Sequence, residues 1–150
     1  LGRLASAWLA DRIGRRWTLF SFGILGALGA VIVAFSAHWE TSWIVFFTGI
    51  CLTMGFGDGA FGILNAFGGE QFPNDARGTG LGLGYGIGAS AKIVGPLLMG
   101  AMIGSGSLQD LAHPLAAVFP AFLFFAVMLV LGGLVYLLAR ETKGAVLEDI

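Results

Sequence analysis

Residues 17–37 read WTLFSFGILGALGAVIVAFSA, a run of helix length without one charged side chain. Crossing a bilayer takes about 20 mostly apolar residues in a helix. A core strand of a soluble protein can also be continuously apolar, but such runs stop at about 4–8 residues. Three more stretches repeat the pattern. Ser42 to Gly69 carries only Asp58, Gly78 to Ser107 carries only Lys92, and Leu115 to Ala139 carries no charge. Ahead of them, Leu1 to Ala10 reads as the end of another span, interrupted by Arg3 alone. In hydrocarbon, only helices and closed barrels satisfy every backbone donor and acceptor. Barrel strands would be about 10 residues long and alternate in polarity. These stretches do not alternate, so the expected fold class is an all-α membrane protein.

The composition agrees. Of 150 residues, 57% are hydrophobic and 11% charged, where a soluble domain carries about 25% charged residues. A chain this poor in charge would expose large apolar patches in water, so a lipid bilayer is its expected surrounding. The formal net charge of −1 points away from a nucleic-acid partner. The single Cys51 allows no disulfide framework and reads as a small buried hydrophobe. His38 and His113 are too isolated for a metal site. The chain starts at Leu1 with no secretory leader pattern, and the expectation is a truncated N-terminus with the first helix already under way.

The connectors predict an orientation. Asp11 to Arg16 holds Arg12, Arg15 and Arg16; Glu70 to Arg77 holds Arg77; the tail after Ala139 holds Arg140 and Lys143. The alternate connectors, His38 to Thr41 and Leu108 to Pro114, hold Glu40, Asp110 and both histidines but no lysine or arginine. By the positive-inside rule the basic connectors and the C-terminus are cytoplasmic, which suits a multi-pass protein of the plasma (inner) membrane. Trp17, Trp39 and Trp43 stand at span ends, as interfacial anchors do. Among 25 glycines, Gly80, Gly84 and Gly88 form two successive G-x-x-x-G steps, and Gly82 with Gly86 another. In lipid such steps let helices approach closely.

Three connector motifs carry more. Ala7-Trp8-Leu9-Ala10-Asp11-Arg12-Ile13-Gly14-Arg15-Arg16 joins two spans through a very short turn, with Gly14 permitting the reversal. Glu70-Gln71-Phe72-Pro73-Asn74-Asp75-Ala76-Arg77-Gly78 has a proline that stops a continuing helix. Arg140-Glu141-Thr142-Lys143-Gly144 is followed by Leu147-Glu148. In order and spacing these resemble the signatures G-x-L-A-D-R-x-G-R-R, E-x-F-P-x-x-x-R-G and E-T-K-G-x-x-L-E of the major facilitator superfamily, in its sugar and metabolite:proton symporter branch. The one departure is Ala7 for the first glycine. The resemblance covers essentially all 150 residues. It implies the C-terminal bundle of that fold, from the end of helix 8 through helix 12, with residues 140–150 as a cytoplasmic tail. An N-terminal half would be the missing partner.

The resemblance also implies alternating access, two bundles rocking about a central site. In the family the connector signatures form a cytoplasmic ion-pair network that closes the inner gate. Matched residue by residue, that network would take Asp11, Arg12, Arg15, Arg16, Glu70, Arg77 and Glu141.

Asp58 and Lys92 fall outside the motifs. A charge at mid-bilayer costs about 2.5–3.5 kcal/mol on insertion scales and marks a functional site by default. At 1.5 Å per residue, Lys92 lies about 20 Å from the start of its helix at Gly78, Asp58 about 15 Å from the cytoplasmic end of its own, and Arg3 about 12 Å inside the membrane. Asp58 and Lys92 would flank the central cavity, Lys92 attracting an anionic substrate and Asp58 serving as a proton-coupling carboxylate or as the partner that keeps Lys92 charged. A purely structural ion pair is the alternative, and Arg3 is also within reach of Asp58. Asn65 and Tyr85 are further cavity candidates, or hydrogen-bond a neighbouring helix. Gly95 and Pro96 lie inside a span, where the proline removes a helical hydrogen bond and predicts a kink, hinged or static.

A dinucleotide-binding loop at Gly82 to Gly86 lacks the preceding strand and the later acidic residue that such a loop needs. No Ser-His-Asp arrangement is apparent, so neither an enzyme nor a cofactor is expected. The expected function is a proton-coupled symporter for a small organic acid or related metabolite, its partners being that small molecule and protons. A sugar porter and a non-transporting sensor or inactive fragment are the alternatives.

Overall fold

A computed structural model describes residues 1–39, 41–103 and 118–143. Glu40, residues 104–117 with Asp110 and His113, and the tail from Gly144 onward with Leu147 and Glu148 lie outside the described residues. The described chain is helical and holds no strand: α1 Gly2–Ile13, α2 Arg15–His38, α3 Trp43–Leu52, a π-helical segment Thr53–Asp58, α4 Phe61–Gly69, α5 Arg77–Ala89, α6 Ala91–Ile103 and α7 Phe119–Leu138. Four stretches are long and apolar enough to cross a membrane: Arg15–His38, Trp43–Gly69, Arg77–Met102 and Phe119–Leu138. Each overlaps one of the four expected spans, of which residues 104–107 and 115–117 lie outside the described residues.

Two spans are interrupted at positions other than the proline kink that the sequence predicts. Thr53–Asp58 widens into a π segment between α3 and α4, inside the glycine-spaced run Met54-Gly55-Phe56-Gly57-Asp58-Gly59. Such bulges inside helices often coincide with functional sites. The other interruption is Ser90, between α5 and α6, whose hydroxyl donates to the Ile87 carbonyl at 2.6 Å. Gly95 and Pro96 lie within α6, which runs unbroken past them.

α2 is the axis of the bundle. Its buried face is built from small and medium residues, among them Gly26, Ala27, Gly29, Ala30, Val33 and Ala34. α7 packs on one side, where Ala27, Ala30 and Ala126 form a cluster wrapped by Phe122, Phe125 and Leu129. On the other side α3 crosses at backbone contact. A β-carbon on Gly29 would stand 2.6 Å from the Thr53 amide nitrogen, and one on Gly49 would stand 3.0 Å from the Gly29 carbonyl oxygen. Lipid tails are as apolar as leucine, so helices here associate through close packing rather than through a hydrophobic drive.

The glycines that make these contacts are not the ones with the most regular spacing. Gly82, Gly84, Gly86 and Gly88 meet no atom within 4 Å, and α5 buries none of its residues. Backbone-to-backbone packing instead uses Gly2, Gly29, Gly49, Gly59 and Gly62. Cys51 likewise departs from expectation: it is exposed on α3. A helix in lipid gains nothing by hiding a small apolar side chain from its surroundings.

Candidate functional site

The first candidate feature is a cavity between α4 and the α5–α6 helix, bordered on one side by Arg3 of α1. It has a volume of about 620 Å³ and is lined by Arg3, Asp58, Phe61, Leu64, Asn65, Gly68, Phe72, Gly80, Leu81, Gly84, Tyr85, Gly88, Ala89 and Lys92. All five residues expected from the sequence to face substrate or protons, Arg3, Asp58, Asn65, Tyr85 and Lys92, stand on this one wall set.

The pairing among them differs from the pairing that put Asp58 with Lys92. Arg3 takes Asp58 instead, with Nε donating to Oδ2 at 3.1 Å and Nη2 to Oδ1 at 2.9 Å. The reason is local. Gly2 presses against the π segment so closely that a β-carbon there would overlap the Gly55 carbonyl oxygen, which brings the next residue of α1 opposite the end of that segment. Ser6, fully buried, reinforces the junction: its hydroxyl lies 2.7 Å from the Gly59 carbonyl oxygen, an acceptor in the turn that follows the π segment. Planar two-point contact of this kind is what guanidinium and carboxylate geometry favours.

Lys92 makes no ion pair among the described residues. Its ammonium lies 5.8 Å from the centre of the Tyr85 ring, within the range of a cation–π contact. Interruptions flank it on both sides. Ser90 ends the regular α5 ladder two residues before it, and Pro96 has no N–H to offer the Lys92 carbonyl four residues back.

The second feature is a polar clamp at one end of the bundle. Gly14 turns the chain between α1 and α2 at φ 99°, ψ 157°, a conformation open essentially to glycine alone. A β-carbon there would also stand 2.7 Å from Glu141 Oε2. Glu141, from the segment after α7, caps α2: Oε1 accepts from the Arg15 amide at 3.0 Å and Oε2 from the Arg16 amide at 3.3 Å. The amides of Thr142 and Lys143 also donate to Oε1, at 3.1 and 3.2 Å. A carboxylate at a helix N-terminus satisfies orphan donors and meets the positive end of the macrodipole.

Around that cap, Arg15 Nη2 pairs with Glu70 Oε1 at 2.9 Å, and the Thr142 hydroxyl donates to the other oxygen of Glu70. Arg16 Nη1 donates to the Leu137 carbonyl at 3.2 Å, at the C-terminus of α7. Gln71 and Arg140 exchange two hydrogen bonds, and the Lys143 ammonium donates to the Arg12 carbonyl. Arg77 Nε donates to the Gly69 carbonyl at 2.9 Å, closing α4. Arg12, Arg77 and Lys143 therefore share one end of the bundle.

Of the seven residues expected in the gate network, Arg15, Arg16, Glu70 and Glu141 meet. Arg77 stands beside them on the backbone of α4. Two do not join by their side chains. Arg12 lies over the Trp8 ring, 4.1 Å from its centre, and Asp11 is exposed without an ion pair among the described residues. Nor is this mainly an ion-pair network: Arg15–Glu70 is its one salt bridge among the described residues, and the remaining contacts run from charged groups to backbone. The reasoning from sequence also missed Gln71 and Thr142 here and Phe61 and Phe72 on the cavity. Phe72 and Thr142 sit inside recognisable motifs; Phe61 carries no signal beyond its helical spacing from Leu64 and Asn65.

A bundle of apolar helices, four of them long enough to cross a membrane, with a charged cavity and a hydrogen-bonded clamp at one end, is the architecture of a multi-pass membrane protein. The profile of the Major Facilitator Superfamily matches residues 1–149, and the chain belongs to that family of transporters, which are not enzymes. The niacin transporter NiaP of Acinetobacter baylyi is 31% identical over 149 residues, 99% of this chain and 31% of that protein. A putative niacin/nicotinamide transporter NiaP of Bacillus subtilis is 32% identical over 101 residues, 67% of this chain and 24% of that protein. The MFS transporter fmqE of Aspergillus fumigatus is 51% identical over 37 residues, 25% of this chain and 7% of its own length. The chain thus spans about a third of the Acinetobacter relative. No solved structure matches it significantly.

Proposed function

We propose that this chain supplies the C-terminal half-site of a proton-coupled importer of a small carboxylic acid, working by alternating access with an N-terminal bundle. The observation that carries the proposal is the charge of the cavity. Arg3 and Lys92 face one carboxylate, Asp58, and Asp58 is already held by Arg3 at two points. One positive charge is left over, on Lys92, and it suits one monoanion.

Charges withdrawn from water are stable when matched, so once an N-terminal bundle covers these exposed side chains a carboxylate substrate would complete the cavity electrostatically. A proton on Asp58 would free Arg3 for the same substrate, which couples the two cargoes through one ion pair. Niacin, named for two of the relatives, is a small aromatic carboxylic acid and falls in this class. The clamp would lie on the cytoplasmic face of the plasma (inner) membrane with the C-terminus, where the basic connectors belong by the positive-inside rule.

The test is uptake of radiolabelled nicotinate into vesicles carrying the full transporter, with and without an inward pH gradient. Gradient-driven uptake that is lost in Lys92→Gln, at unchanged protein level, is the expected result. Uptake indifferent to both the gradient and Lys92 would overturn the proposal.

A further inference from the structure

Resting on the proton-coupled reading above, we propose that the Ser6 hydroxyl is the positioning group of the Arg3–Asp58 pair, and that its choice between two carbonyl acceptors passes the loss of that pair to α1. Ser6 is fully buried in the contact between α1 and the turn before α4. Its oxygen lies 2.7 Å from the Gly59 carbonyl oxygen across that contact, and 2.9 Å from the Arg3 carbonyl oxygen one turn back in its own helix. A hydroxyl has one proton to donate, so the two carbonyls compete for it. Both acceptors are tied to the ion pair. Gly59 follows Asp58 directly, and the Arg3 carbonyl belongs to the residue whose guanidinium holds Asp58. Donation to Gly59 binds the Asp58 end of the π segment to α1. Donation to Arg3 turns the hydroxyl back onto its own helix, as serines in helices do.

The surroundings are fitted to that hydroxyl. A β-carbon on Gly62 would overlap both the Arg3 carbonyl and the Ser6 oxygen, so the two helices meet here only because position 62 is bare. Asp58 has two charged neighbours, Arg3 from α1 and Lys92 on the cavity wall. The other elements around it bring no charge. α2 packs Phe22 and Gly26 on the π segment, α7 brings Leu129, and α3 and α4 hold no charged residue. Protonating Asp58 therefore removes the attraction that keeps Arg3 in register. The Ser6–Gly59 bond is the polar contact that then remains between α1 and this segment among the described residues. When the hydroxyl turns to Arg3, that contact opens and α1 is released from the π segment.

The experiment uses vesicles carrying the full transporter. It compares uptake of radiolabelled nicotinate driven by an inward pH gradient with exchange of labelled for unlabelled nicotinate without one. Ser6→Ala should lower gradient-driven uptake about fivefold, the weight of one buried hydrogen bond, and leave exchange intact. Ser6→Cys, which fills nearly the same space with a weak donor, should share the loss. Ser21→Ala, which removes a hydroxyl that donates to Trp17 of its own helix, should keep both rates. Wild-type gradient-driven uptake in either Ser6 variant overturns the proposal, as does exchange that falls equally far. Hydrogen–deuterium exchange decides the matter where no Ser6 variant folds. The Gly62 amide donates to the same Gly59 carbonyl, so exchange over residues 60–64 should be faster in Asp58→Asn than in the wild type, and equal rates overturn the proposal. Gradient-driven uptake retained in Asp58→Asn, or absent from the wild type, is a separate result and overturns the proton-coupled reading beneath it.

Discussion

Arg3 and Asp58, 55 positions apart, meet through two parallel hydrogen bonds on the wall of the cavity. The contact exists because a π segment ends at Asp58 and a glycine at position 2 lets α1 lie against it. Removing either partner leaves the other charge uncompensated within the membrane. Asp58→Asn should uncouple uptake from the pH gradient, and Arg3→Gln should lower the level of folded transporter. The double variant should be more abundant than Arg3→Gln alone, as the coupling of contacting residues requires. Detergent-solubilised monodisperse protein, quantified by fluorescence-detected chromatography, checks the second part. Equal abundance of the single and double variants would show that the pair is not coupled.

Glu141 accepts the first two amides of α2. Loss of a helix cap costs about 0.5–2 kcal/mol, so Glu141→Ala should lower the thermal midpoint in detergent by several degrees. Glu141→Gln, which keeps an acceptor, should lower it less. A midpoint identical to wild type in the alanine variant would rule out the capping role.

Gly14 is constrained by its backbone and by its neighbour. At φ 99° a side chain is strained by about 1–3 kcal/mol, and its β-carbon would crowd Glu141. Gly14→Ala should therefore destabilise the clamp, whereas Gly82→Ala, at an open position of α5, should leave its helix at least as stable. Limited proteolysis at the α1–α2 turn reports the difference.

A valine scan separates packing glycines from open ones. At Gly29 or Gly62 the added side chain would overlap backbone atoms, and overpacking costs typically about 1–3 kcal/mol or more. Gly29→Val and Gly62→Val should abolish folded protein, while Gly86→Val, which meets nothing, should accumulate. Comparable yields of all three would contradict the helix crossings described above.

Much of this was legible along the chain. Apolar length marks the four spans, because a bilayer demands that length and forbids unpaired backbone. The alternation of arginine-bearing connectors places Arg15, Glu70 and Glu141 at one end, and the chain alone marks Arg3, Asp58 and Lys92 as charges inside spans. Which of them pair is another matter. Two cations lay within reach of Asp58, and the choice of Arg3 rests on a contact between Gly2 and Gly55 that no spacing rule reports.

The glycines show the same division. Their number and their G-x-x-x-G spacing announce close approach of something to α5. The tertiary arrangement leaves Gly84 and Gly88 open to the cavity and gives the helix crossings to Gly29 and Gly49. The sequence by itself determined the membrane fold, its family and the end of the bundle where polar groups gather, since these follow from hydrophobic length and local motif. Only the tertiary structure decided the partner of Asp58, the π segment that presents it and the surfaces the glycines serve. Those depend on distances between residues far apart in the chain, which one-dimensional periodicity does not encode.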